Sequence, residues 1–301
     1  LSAYFQADTS NPKQTITINI YDTSTQPATH AYQLATQEGN NIIIGPLSKT
    51  AVNEINQSDA LSTPTIALNT LPSTSTPQPN LYQLSLSASD ETQQIVAKAR
   101  EDQHRRIIII APNSRWGQQI ANTFSSEWTQ AGGEIISQMN YNNTHSLSFD
   151  IRHLLNLDKS YLREKKISRL LHTSLRMTPR RRQDFDSIFL IANTPYAKQI
   201  RPLLKFYYAG NIPIYALSNV YQGNVDLRRD RDLNGILFCD QPWVLNKKLD
   251  DSALNTIRTH AKKSWPHLFY TYPKLFALGV DAFNIAHHFN RVTQLPKLGF
   301  A

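Results

Sequence analysis

Residues 186–219 read DSIFLIANTPYAKQIRPLLKFYYAGNIPIYALSN, and this stretch decides the fold. Ser187 to Ala192 is a continuous apolar run of strand length, as expected of a strand covered on both faces of a parallel sheet. Thr194 is placed to cap a helix and Pro195 to open it, where a missing N–H costs nothing. Ile200, Leu203, Leu204 and Tyr207 share one stripe at helical spacing, Gly210 suits a left-handed C-cap, and Pro213 to Leu217 resumes as strand. This is one βαβ unit, and the chain is α/β.

The same alternation extends in both directions. Upstream, Thr15–Tyr21 alternates and predicts a strand; a helix over 27–37 leads to the apolar strand Asn41–Ile44, closed by Gly45-Pro46-Leu47-Ser48. A helix over 50–57 precedes the strand 64–69, the Ser/Thr/Pro tract 72–79 forms a surface loop, and Tyr82–Ser87 is a short strand. Asp90 with Gln93 resembles a capping box for a helix to about Gln103. A very apolar strand follows at Ile107–Ile110. Ser114 caps a helix in which Ile120, Phe124 and Trp128 repeat every four residues until Gly132-Gly133, and Glu134–Tyr141 is the next strand, followed by a helix over 149–157. Gly235–Cys239 is the last strand, and helices over 250–263 and 273–291 cover a sheet.

Two successive doubly wound sets imply two parallel-sheet lobes. The expected division is residues 1–105 with 239–295 in one lobe and 106–238 in the other, the latter carrying a basic insertion at 158–184. The opening Leu1–Phe5 reads as the tail of a helix, so edge elements are expected to be missing at both ends of this chain.

At these residues a resemblance becomes specific. The runs SIFLIANTPYAKQIRPLLKFYYAGNIPIYALSNVY and DRDLNGILFCDQPW resemble the C-terminal domain of the outer-membrane lipoprotein family known as LpoA or LppC. The likeness runs from the Gly45-Pro46-Leu47 turn to about Trp243. It implies a type I periplasmic-binding-protein fold, a non-catalytic role, and a class A penicillin-binding protein as the partner whose transpeptidase activity is stimulated in peptidoglycan synthesis. It also implies a periplasmic location, with attachment to the outer membrane through a lipid anchor outside this chain.

Composition agrees without choosing. The 301 residues are 40% hydrophobic, enough for a sizeable core, and mean hydropathy is −0.42. A net charge of +8 permits anionic partners. Nucleic acid is not expected, since no helix-turn-helix, zinc finger or RRM-like aromatic pair accompanies the charge. One cysteine, Cys239, excludes an intrachain disulfide, and it reads as a buried inert thiol.

Polar residues at strand ends are where open α/β sheets bind ligands. Ser48, Asn69, Thr70, Asn113, Asn193, Asn219 and Asp240 are the candidates for lining a cleft that would hold an amino acid, peptide or cell-wall fragment, the function that competes with regulation. The same residue types serve as helix caps. Arg180, Arg181 and Arg182, in the basic insertion, are the candidates for docking a partner. Asp230-Arg231-Asp232-Leu233-Asn234-Gly235 opens like a calcium loop, but its twelfth position is Gln241 instead of glutamate, and it reads as a polar turn. No metal or cofactor is expected, and no G-x-S-x-G, G-x-G-x-x-G or P-loop argues for catalysis.

Overall fold

The computed structural model describes residues 16–294 apart from 73, 143–145, 175–176, 224–225 and 247–248. The helix tail expected at Leu1–Phe5 lies outside them. The chain divides into two compact units, one of 1–86 with 242–301 and one of 87–241.

The first unit opens with α1 (Ala28–Gln37), β1 (Ile43–Ile44), α2 (Lys49–Gln57), β2 (Thr65–Ala67) and β3 (Leu81–Gln83). The strands form a parallel sheet in the order β1-β2-β3. Ala28 and Tyr32 of α1, Val52 and Ile55 of α2, and Ala67 of β2 share one apolar cluster. Residues 16–21 are not the strand their alternation predicts: they pair with no ladder among the described residues. They are tied instead to the end of α1 through side chains. Tyr21 donates its hydroxyl hydrogen to Glu38, and Asn40 donates to Tyr21 at 2.8 Å and accepts from Asn19 at 3.0 Å.

The second unit begins with α3 (Ala88–Glu101), then β4 (Arg106–Pro112), α4 (Arg115–Gln130), β5 (Glu134–Tyr141), α5 (Leu147–Leu154), α6 (Leu157–Leu171), β6 (Ser187–Leu190), α7 (Thr194–Leu204), β7 (Ile214–Ala216) and β8 (Ile236–Phe238). All five strands are parallel, in the order β5-β4-β6-β7-β8. The isoleucine run of β4 shows why such strands do not alternate in hydropathy. Ile107 and Ile109 join the cluster under α3 and α4, Ile108 and Ile110 the cluster under α5 and α7, and all four are fully buried.

The division differs from the expected one after residue 105. The apolar face of α3, Ile95, Val96 and Ala99, packs with Ile107, Phe124 and Trp128, so this helix belongs with the second sheet. Three local signals are displaced as well. Ser87, not Asp90, caps α3, its Oγ accepting from the Asp90 N–H at 3.1 Å. Asn193 caps α7 in place of Thr194. The left-handed residue after α7 is Tyr208 (φ 64°), while Gly210 stays right-handed, because α7 runs on through a wider turn at Lys205–Ala209 before reversing.

The chain then returns to the first unit with α8 (Pro242–Leu245), α9 (Ser252–Ser264), α10 (Pro266–Thr271), α11 (Pro273–His287) and α12 (Phe289–Gln294). α11 packs on β1, and Phe289 meets Tyr82 edge-to-face at 5.0 Å. Trp243, Ile257, Phe269 and Ala277 form a separate cluster among these helices.

Candidate functional site

In the second unit the strand order places β4 beside β6 while their onward connections run to opposite sides of the sheet. This is the topological switch point where such sheets bind ligands. The turns after these two strands carry Asn113 and Asn193, both exposed. Asn113 donates its N–H to the Tyr141 carbonyl at 2.8 Å and accepts from Gln118 at 2.9 Å. Ser114 caps α4 through the Gly117 N–H at 3.1 Å, and α4 starts so close to its strand that a Cβ on Gly117 would lie 2.4 Å from the Pro112 carbonyl oxygen. Asn193 accepts from the Tyr196 N–H at 3.3 Å. Between the two turns, buried Tyr141 donates to the Ile191 carbonyl at 3.0 Å, and burial pushes its phenol pKa up. The switch point is therefore framed by side chains that hold turns and helix starts.

At the ends of β7 and β8 the arrangement is similar. Thr194 donates to the Asn219 carbonyl at 3.4 Å, and Asp240 accepts from the Gln241 N–H at 2.8 Å. Glu91, in the first turn of α3, accepts from the Ser218 N–H at 2.9 Å and from the Ser218 hydroxyl at 2.7 Å. This lock was not readable in advance, because Glu91 and Ser218 lie 127 residues apart and a glutamate in a first helical turn is ordinary. Cys239 is half-buried and packs beside the cluster of Ile95 and Phe189, its Sγ 3.8 Å from the Glu91 carbonyl oxygen.

In the first unit, Ser48 caps α2 through the Ala51 N–H at 3.1 Å. Asn69 donates to the Leu47 carbonyl at 2.9 Å and accepts from the Thr70 N–H at 3.0 Å, fixing the loop before α2 from its neighbouring strand end. A groove of about 640 Å³ runs along the open edge of β1, between Ile16–Tyr21 on one side and Ile42–Leu47 on the other. Ile43 and Gly45 donate their N–H groups to Pro64 and Ile66 of the neighbouring chain segment, so the intervening Ile44 turns its backbone away from β2.

The three arginines offered for docking have different fates. Arg180 is exposed. Arg181 is buried: it donates to the carbonyls of Tyr208 at 2.9 Å and Arg182 at 2.8 Å, lies over the Phe185 ring, and loses basicity to that burial. Arg182 makes a two-pronged bond to Asp184, 2.7 Å on each arm, which holds the Asp184 carboxyl below its usual pKa. Arg181 and Arg182 are thus clamps for the strand entering β6, and of the three docking candidates Arg180 is the exposed one. In the calcium-like turn, Lys198 sits 3.2 Å from Asp230 and Arg201 donates to the Asn234 carbonyl at 3.0 Å, so cations of α7 hold the polar turn. Among the described residues no helix is long and apolar enough to cross a membrane.

Comparison with known proteins gives a consistent answer. The family described as "LppC putative lipoprotein" matches residues 1–300. The chain is 25% identical over 292 residues to the penicillin-binding protein activator LpoA of Photobacterium profundum, covering 97% of this chain and 46% of that protein. Against the protein of the same name from Escherichia coli the identity is 25% over 296 residues, 92% and 42% of the two lengths. The chain therefore spans less than half the length of these relatives. Its fold superposes on the LpoA C-domain of Haemophilus influenzae, described as a regulator of PBP1A, with TM-score 0.70 and 22% identity, covering 100% of this chain and 84% of that one. A branched-chain amino acid ABC transporter protein of Chromobacterium violaceum shares the fold at TM-score 0.61 and 21% identity, covering 95% and 80%. Two parallel α/β units built as in the type I periplasmic binding proteins, together with a family match from one end to the other, place this chain in the LppC lipoprotein family.

Proposed function

We propose that this chain is a non-catalytic periplasmic regulatory domain of an outer-membrane lipoprotein, which binds a class A penicillin-binding protein and stimulates its transpeptidase in peptidoglycan synthesis. The observation that carries this reading is the family match over residues 1–300, in relatives named as penicillin-binding protein activators. The strand ends agree with it. A receptor for a free solute needs polar groups held ready for the ligand, whereas Ser48, Asn69, Asn113, Asn193 and Glu91 are engaged in caps, loops and helix locks.

The mechanism is differential affinity. A regulator that binds the active conformation of the synthase more tightly than the inactive one shifts the population, and a tenfold shift needs a difference of about 1.4 kcal/mol. The domain supplies no reacting group. Binding of the purified chain to a detergent-solubilised class A synthase, followed by surface plasmon resonance, tests the reading. Saturable binding is expected, and folded chain that does not bind would refute it. The solute-receptor alternative predicts instead that an amino acid or muropeptide raises the melting temperature. The regulatory reading predicts no such rise.

A further inference from the structure

Helix α6 points to the docking surface. Leu157 and Ser160 are buried and fix which side faces the unit. At about 100° per residue, Lys159, Leu162, Lys166, Arg169 and Leu170 fall within roughly one hundred degrees of arc on the opposite side. Arg163 and Lys165 flank that arc. All five cations are exposed, and Leu162 and Leu170 are 65% and 71% exposed, on a helix that buries only Leu157 and Ser160. The helix carries two acids, of which Asp158 is paired with Arg152 at 2.7 Å and Glu164 is half-buried towards the body. Leu162 and Leu170 stand eight residues apart, about 12 Å along the axis.

We infer that this face of α6 docks an acidic protein surface bearing two shallow apolar pockets, one for each leucine, ringed by carboxylates that meet Lys159, Arg163, Lys165, Lys166 and Arg169. A lipid surface fits less well. Interfacial helices gather their apolar side chains on one face, whereas here Leu162 and Leu170 stand among the cations while Tyr161, Ile167 and Leu171 are exposed on the other side of the helix. Apolar anchors surrounded by charges that exclude water describe a protein interface. The occupant is the acidic surface of the synthase, so the assignment rests on the regulatory reading.

Two variants test it: the charge reversal Lys159→Glu/Lys166→Glu/Arg169→Glu and the anchor removal Leu162→Ser/Leu170→Ser. Every substituted side chain is exposed, and circular dichroism and thermal melts check that both variants fold. Binding to the solubilised synthase is measured at two salt concentrations, and binding to phosphatidylglycerol vesicles in parallel. Each variant is expected to weaken synthase binding by about tenfold or more. The reversal is also expected to flatten the salt dependence, and the anchor removal to leave it unchanged. Wild-type binding that both folded variants retain overturns this surface and leaves the regulatory reading standing. No wild-type binding overturns both. Variants that lose vesicle binding while keeping the synthase assign the face to a membrane and overturn the protein-docking inference.

Discussion

Arg181 shows how differently adjacent, chemically identical residues are used. Arg180 is on the surface, and Arg181 is buried between the Tyr208 carbonyl and the Phe185 ring. Arg181→Ala removes a buried side chain and its hydrogen bonds to the Tyr208 and Arg182 carbonyls and opens a gap, so it is expected to lower unfolding free energy by about 2 kcal/mol in denaturant titration. Arg180→Glu is expected to stay within about 0.5 kcal/mol. A run of arginines does not announce which of its members folds inward, because that depends on Tyr208 and Phe185 arriving from elsewhere in the unit. A second residue-scale prediction concerns Asp102. The buried Tyr215 hydroxyl, 2.6 Å away, and then Lys98 hold its carboxyl pKa below the ordinary value. A depressed folded-state pKa contributes stability that is fully present above the unfolded-chain value of about 3.9 and is lost as pH falls through the folded one. Tyr215→Phe should therefore melt several degrees below wild type at pH 7, and the gap should narrow as pH falls below about 4. An equal gap from pH 7 to pH 2 would contradict this account.

Elements were legible where a complete local pattern decides them. The apolar runs of β4 and β6 and the four-residue repeat of α4 are each complete, and each element is found. Boundaries set by capping shifted by one to three residues, since Ser87, Asn193 and Tyr208 compete with equally good neighbours. Residues 16–21 carry the right alternation for a strand, yet alternation supplies no hydrogen-bonding partner, and side chains around Tyr21 hold the segment instead. A close approach of helix to strand end in the second unit gives a direct test of element packing. Gly117→Ala pushes a methyl group against the Pro112 carbonyl, 2.4 Å away, which only a shift of α4 from β4 relieves. A loss of about 2 kcal/mol or more is expected in denaturant titration, against about half a kcal/mol gained by an ordinary glycine-to-alanine change within a helix. A neutral or stabilising result would mean that α4 sits further from the strand end. In the core, Ile109→Ala, fully buried under α3 and α4, is expected to cost about 3 to 4 kcal/mol.

For the whole molecule, two parallel α/β units could be read from the alternation of strand and helix patterns, while the exchange of α3 between them could not, because an amphipathic helix does not state which sheet its face covers. The polar strand ends were equally visible, and only their hydrogen bonds show that Ser48 and Asn193 cap helices while Asn69 and Asn113 tie turns. The family is read from the whole chain, and the proposed regulatory role has to be tested through another protein's activity. The direct measurement is transpeptidation by a purified class A synthase with and without this chain, at fixed salt, with the folded state of the chain confirmed in the same buffer. The account predicts a saturable increase in cross-linked product, smaller with the α6 charge reversal. An unchanged cross-linking rate at saturating folded chain would contradict it.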